Sequence, residues 1–315
     1  MAYSSGGLIS ATDFNTLANA TNTIMGVGTG QSGYGQTVTA LTNLTTSTTV
    51  TAAQWSGFLT ILNNGLQHQS GAGASLGSVN YTAGSIVTYF ANVNTATTTI
   101  STNKASAAAT GTVTAGSSLS TTLSQTGTTS TTAQTQSWTR TVTFPSGDAA
   151  RYFFNAGGYI NWAITATNTG GSLRGADLAT NWATNMASGR IAGLTSIGKG
   201  GTGGTINTNA TTLGYWNLTA SNQTMAQLTS SNYRYEYNTD FTRIQVLRSA
   251  ANASGNGDNG AVITFTFDYS MAGHISAADT TNFNDDINVA FGVTFSIVEP
   301  ELTYLTKSWA NPTFA

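Results

Sequence analysis

Between Met1 and Asn103 the chain carries one charged residue, Asp13. A surface made from that stretch has to be solvated by hydroxyls and amides or covered by other protein, because the charges that usually keep a free domain soluble are missing. The remainder relaxes the constraint only a little. Charged residues are 7% of the 315, against about a quarter in ordinary globular proteins, and the formal net charge is -2. Threonine supplies about a fifth of the chain, its branched Cβ favouring strands while its hydroxyl suits a wet face. These features point to a subunit of a large assembly, held by apolar and neutral polar contacts that salt hardly screens. A secreted, low-charge β protein is the alternative.

Cysteine is absent, which removes disulfides, thiolate catalysis and thiolate metal sites. Met1-Ala2-Tyr3 has no basic region leading into an apolar one, and no apolar run approaches the roughly 18 residues of a membrane span. The expectation is a soluble protein not exported by the usual route, with no membrane partner. Ten basic residues scattered along the chain make no phosphate-tracking stripe, so no nucleic-acid partner is expected.

Two N-terminal segments align without gaps, Ile9 to Met25 and Val50 to Leu66. Each offers an N-cap, Ser10 or Thr51, with Asp13 or Gln54 three residues on to complete a capping box. Phe14, Leu17 and Ile24 fall on one helical face, as do Trp55, Phe58, Leu62 and Leu66. A weaker helical pattern runs from about Ala83 to Ile100. Phe14, Leu17, Trp55 and Phe58 are candidate interface anchors between copies, packing within the subunit being the other reading. The Gly- and Thr-rich stretch between the first two helices reads as a loop and then an extended segment.

Residues 106–136 are low-complexity Ser, Thr, Ala and Gly, either a linker or hydroxyl-bearing strands. Beyond them the period becomes two. Trp138, Arg140, Val142 and Phe144 share a face, as do Ile263, Phe265, Phe267 and Tyr269, and Phe291, Val293, Phe295 and Ile297. Turn signals separate these runs, and one helix interrupts them in ADLATNWATNMAS, with Leu178, Trp182 and Met186 four residues apart. The expected fold class is α+β. Residues 1–105 form a helical oligomerisation or docking region of two to three helices, 106–136 the linker or strand, and 137–315 a mostly antiparallel, sandwich-like β domain with one helix.

Chemistry finds little purchase. IGKGGTGGTI, Ile197 to Ile206, puts Lys199 before its glycines and a strand-like run after them, the reverse of a phosphate-binding loop, and reads as a flexible loop. His68 and His274 have no ligands at metal spacing. No nucleophile elbow is present. Paired acids for glycoside hydrolysis could come from Asp258, Asp268, Asp285, Asp286, Glu299 and Glu301, but Asp285 and Asp286 would face opposite ways in a strand. Asp258-Asn259-Gly260 could offer oxygens to calcium but is first a hairpin turn. No catalytic residue, cofactor or metal is expected.

The densest apolar stretch is ARYFFNAGGYINW, Ala150 to Trp162. As a core element, Tyr152 and Phe154 alternate with Phe153 along extended chain, Gly157-Gly158 bends it, and Ile160, Trp162 and Ile164 resume on one face. That reading requires Phe153 and Phe154 to be covered. The stretch also resembles the recurrent ARxFFNAGGxI signature of a family of virion structural proteins from large tailed phages, especially marine and cyanobacterial contractile-tailed ones. The resemblance continues downstream in order, through ADLATNWATNM, GRI, TTLGYWNLT, SNYRYEYNTDFTRIQVLRS, AVITFTFDY, NDDIN and PELTYLTKSW, and upstream in IMGVGTGQSGYGQ and LQHQSG.

The resemblance implies a non-enzymatic virion subunit of the tail, neck or baseplate region, localised to the virion, whose partners are copies of itself and other phage virion proteins. Family members often carry a charged residue where Tyr159 stands and basic residues in the N-terminal helices; here those charges are missing. Two other roles stay open, a receptor-binding module at a fibre tip and a capsid decoration protein. For the first, Tyr233, Tyr235 and Tyr237 share one strand face and could stack on a host surface glycan, a cross-strand aromatic ladder being the plainer reading.

Overall fold

The computed structural model describes residues 9–27, 33–38, 42–45, 47–77, 82, 90–105, 122–127, 134–169, 173–229, 240–249, 260–271 and 289–315. Three helices come first, α1 (Ala11–Met25), α2 (Ala52–Ser70) and α3 (Phe90–Asn103). Both N-terminal caps are where the sequence puts them. The Ser10 hydroxyl accepts from the Asp13 amide, and Thr51 and Gln54 form the reciprocal capping box. The third helix starts at Phe90; the earlier part of its expected span, from Ala83, lies outside the described residues. The three helices pack on one another through Phe14, Leu17, Trp55, Phe58, Leu62, Val93 and Ile100, all buried. Phe14 and Trp55 both meet Phe58, at centroid distances of 5.9 and 5.4 Å.

A charge-poor surface still needs its polar groups satisfied, and threonine does much of this locally. Thr16, Thr23, Thr60, Thr98 and Thr102 each donate to the carbonyl four residues back. Amide side chains then clasp extended backbone where a charged protein would use ion pairs. Asn15 pairs with both backbone groups of Leu44, and Asn63 accepts from the Leu76 amide.

The remaining elements are β1 (Thr122–Gly127), β2 (Gln134–Thr143), α4 (Gly147–Asn155), β3 (Tyr159–Asn168), α5 (Leu173–Thr180) with a π-helical turn to Met186, β4 (Ser188–Ile191), β5 (Ser196–Ile197), β6 (Thr205–Asn209), β7 (Gln223–Thr229), β8 (Phe241–Arg248), β9 (Val262–Met271), β10 (Val289–Val298) and β11 (Thr313–Phe314). They form two antiparallel sheets, ordered β1-β10-β3-β4-β5 and β11-β2-β9-β8-β7-β6. The fold is therefore α+β, with the helices leading. Residues 122–127 and 134–136 of the low-complexity stretch are strand, the second alternative for that segment; 106–121 and 128–133 lie outside the described residues.

The inward residues are those of the period-two runs. Trp138 of β2 stacks on Phe291 of β10 at 4.4 Å, and Phe265 of β9 meets Phe295 of β10 at 5.1 Å and Trp162 of β3 at 5.2 Å. Trp182, from the turn after α5, closes on Phe291 at 4.9 Å. Aromatic rings from both sheets thus interdigitate in one layer, which is how a sandwich buries its two inner faces.

Two expectations need correction. Residues 147–155 are helix, not extended chain, so the β-rich part holds a second helix. Ser146 caps it by accepting from Ala149, Asp148 occupies its first turn, and Arg151 one turn on lies 2.7 Å from that carboxylate. Phe153 and Phe154 are both fully buried, as packing required. The loop after Ile197 is not loose. Gly200 donates to Ser188 and Met186, the Lys199 amide donates to Asn209, and its ammonium donates to Gly201 at 2.5 Å, so the loop caps the carbonyl end of the turn after α5.

A candidate functional site at the helix–sheet junction

Helix α4 is the hinge post between the helical region and the sandwich. Its apolar side points into the sandwich, where Phe153 and Phe154 meet Phe144 at 5.4 and 5.8 Å. Phe154 also stacks on Tyr215 at 4.4 Å, and Phe153 meets Trp309 at 6.2 Å. At its end Gly157 takes φ +97°, which an L side chain rarely adopts, and a Cβ on Gly158 would lie 2.5 Å from the Phe153 ring. The Gly-Gly pair reverses the chain so that β3 can start beneath the ring.

The polar groups of α4 reach the other way. Arg151, 1% exposed, donates to the Val27 carbonyl at 2.9 Å, and the Tyr152 hydroxyl donates to the same oxygen at 3.2 Å. Asn155, fully buried, donates to the Gly33 carbonyl at 2.7 Å and accepts from the Trp216 indole at 3.1 Å. The Ala156 carbonyl lies 2.8 Å from His68 Nε2, in the last turn of α2. The segment held in this way, residues 33–36, is pinned on its other side to the end of α1, through Tyr34 to Ile24 and Gln36 to Met25.

The C-terminal residues strap the same segment. Gln36 exchanges two hydrogen bonds with the backbone of Thr306, both 2.8 Å, and the Ser308 hydroxyl donates to the Tyr34 carbonyl. Behind it the Tyr34 hydroxyl accepts from Gln69 at 2.6 Å, and Gln69 also donates to Ile100 of α3. From there the chain runs to β11, where Ala315 and Thr141 exchange backbone hydrogen bonds at the edge of β2. Residues far apart in sequence are bound into one polar cluster with hardly any formal charge.

Its electrostatics are of one kind. Burial pushes the Tyr34 and Tyr152 hydroxyls above their ordinary range and Tyr215 up to about 12, while Arg248 beside Tyr215 pulls the other way. Burial lowers His68, against the Ala156 hydrogen bond and the charge of Glu301, which favour the imidazolium. Elsewhere Lys104 and Lys199 shift down and Asp177 up, again by desolvation. Every one of these shifts favours the neutral form. Of these groups, Tyr34, Tyr152, His68 and Lys199 each hold a side-chain hydrogen bond within the fold.

The residues singled out from sequence are elsewhere. Phe14, Leu17, Trp55 and Phe58 are at most 2% exposed and lie between the helices of one chain. Tyr233, Tyr235, Tyr237, Asp258, His274, Asp285 and Asp286 lie outside the described residues. The described acids are not gathered: Asp268 receives a bidentate Arg243 and Glu299 pairs with Lys307 at 2.6 Å. Among the described residues no three His, Cys, Asp or Glu side chains converge to hold a metal. No helix of the described residues is long and apolar enough to cross a membrane.

The junction residues were visible only as separate stretches. Tyr34 and Gln36 lie in IMGVGTGQSGYGQ, His68 and Gln69 in LQHQSG, Arg151 to Gly158 in ARYFFNAGG, Tyr215 and Trp216 in TTLGYWNLT, and Thr306 to Trp309 in PELTYLTKSW. Comparison of the chain with protein-family models, curated proteins and solved structures returned no match.

Proposed function

We propose that this chain is a structural subunit of a tailed-phage virion, a non-enzymatic component of the tail, neck or baseplate region that works by association with copies of itself and with other virion proteins. The observation that carries the reading is the junction. Five stretches by which the sequence resembles that virion family are hundreds of residues apart at the extremes, yet they meet in one cluster built from buried aromatics, amides and the Arg151–Asp148 ion pair. A cluster of that kind supports rigidity rather than turnover. The poverty of charge supports the same reading, since neutral subunits approach one another without repulsion.

With the helix faces consumed inside the subunit, association falls to the outer surface and the strand edges. Edge strand β6 is TINTN, without a charge to guard it, and its Ile206 is 54% exposed. Immunogold labelling of purified particles with antibody to the folded chain tests the proposal. Gold at a fixed position on intact particles is the expected result. Protein found only in the particle-free lysate would overturn it.

A further inference from the structure

His68 sits where α2 meets the end of α4, and the residue is 3% exposed. Its Nε2 lies 2.8 Å from the Ala156 carbonyl, which only accepts, so Nε2 carries the proton of the neutral ring and Nδ1 is a bare lone pair. Nδ1 is buried and has no hydrogen-bond partner among the described residues. The contact links positions 88 apart and ties the helical region directly to the turn before β3.

We propose that His68 is an acid-sensitive latch: a proton added at Nδ1 places a charge and an N–H where the described residues offer no acceptor, and α2 is released from α4 while the sandwich remains folded. Among the described residues three groups face the ring. From the 33–38 segment comes Tyr34, edge-on at 5.5 Å, whose hydroxyl burial keeps neutral and engages with Gln69. From the C-terminal strap comes Glu301, whose charge favours the imidazolium. From α4 comes the Ala156 carbonyl, which neutral and protonated rings can both donate to. Burial outweighs the two favourable influences, so the pKa of His68 is lower in the folded chain than in the unfolded one.

The unfolded chain therefore takes up the proton first. Stability from this residue is present in full above about pH 6.5 and is lost as pH falls from there to the lower folded value, by about tenfold in the opening equilibrium for each unit separating the two.

Amide hydrogen exchange of the whole chain, from about pH 7.5 to about pH 5 and corrected for intrinsic rates, reads this directly. Protection of α2 and of residues 33–36 is expected to fall across this range while β9 and β10 stay protected. His68→Gln keeps a donor for the carbonyl and does not titrate, so its protection should be flat across the range. Glu301→Gln should deepen the loss and extend it to lower pH. A direct NMR titration of the wild-type His68 ring serves even if a variant folds poorly, and should give a value below about 6.5. Protection that does not change with pH in the wild type, a loss that persists in His68→Gln, or a ring value at or above the ordinary one would overturn the latch.

Discussion

Asn155→Ala probes the junction where its bonding is simplest. The wild-type amide is fully buried and makes two hydrogen bonds, donating to Gly33 and accepting from Trp216. Alanine leaves the Gly33 carbonyl unpartnered in a buried place, at a cost of about 1–3 kcal/mol. The Trp216 indole is half-buried and can turn to water, so its loss stays near the lower end, about 1 kcal/mol. Against this, alanine suits the last turn of α4 better than asparagine by about 0.5 kcal/mol. The net expectation is a destabilisation of about 1.5–3.5 kcal/mol, read as a shift of the urea midpoint with unchanged slope. The loss should be local first, with the amides of Tyr34 and Gln36, which bond to Ile24 and Met25, exchanging faster than those of β9. Asn155→Asp should be worse, because it keeps an acceptor for Trp216 but sets a carboxylate against the Gly33 carbonyl. A change below about 0.5 kcal/mol for Asn155→Ala, or a loss of stability that leaves Tyr34 and Gln36 protected, would refute the view that Asn155 clamps this segment.

Three further outcomes follow from the same geometry. Gly158→Ala should lower the melting temperature, because the new methyl meets the Phe153 ring at 2.5 Å and the ring is walled in by Phe144, Phe154 and Trp309; about 1–3 kcal/mol of overpacking is expected by thermal denaturation. Ala187→Gly should raise stability by up to about 1 kcal/mol, since Ala187 holds φ +51° between two backbone hydrogen bonds, to Trp182 and from Ile164. Tyr215 has its folded value raised to about 12, so its contribution is full below the ordinary tyrosine value of about 10 and is lost as pH rises through that window. Tyr215→Phe should remove that share of the alkaline sensitivity, as followed by denaturation midpoints across the range; equal slopes in variant and wild type would contradict the assignment.

The parts of the fold that could be read from sequence are those in which one face is wet. The caps at Ser10 and Thr51 are local chemistry and appear at those residues. In β2 and β9 the alternation of Trp138, Val142, Ile263, Phe265 and Phe267 with polar neighbours is a pattern imposed by water on one side. Helix α4 reads as extended because its polar stripe of Asp148, Arg151 and Asn155 spans only two turns, and the run of Tyr152, Phe153 and Phe154 between them is equally apolar at period two. An apolar stripe such as Phe14, Leu17, Trp55 and Phe58 says that a face is covered and not by what, so a subunit interior and an interface between copies look alike. The junction was harder still: Asn155 and Gly33 are 122 positions apart, and the clamps are amides and hydroxyls, which serve everywhere else in this chain as ordinary surface.

The central claim is a neutral assembly subunit whose helical region is locked to its own sandwich, leaving the outer surface and strand edges for neighbours. A virion reconstruction at side-chain resolution, with this chain traced, tests it most directly. The account predicts repeated copies in the tail, neck or baseplate region, Phe14, Leu17, Trp55 and Phe58 covered within each copy, Asn155 on Gly33 of the same chain, and neighbours meeting on uncharged surface. A particle in which the chain is absent, or in which α1 and α2 bury those four side chains against a different copy, would contradict it.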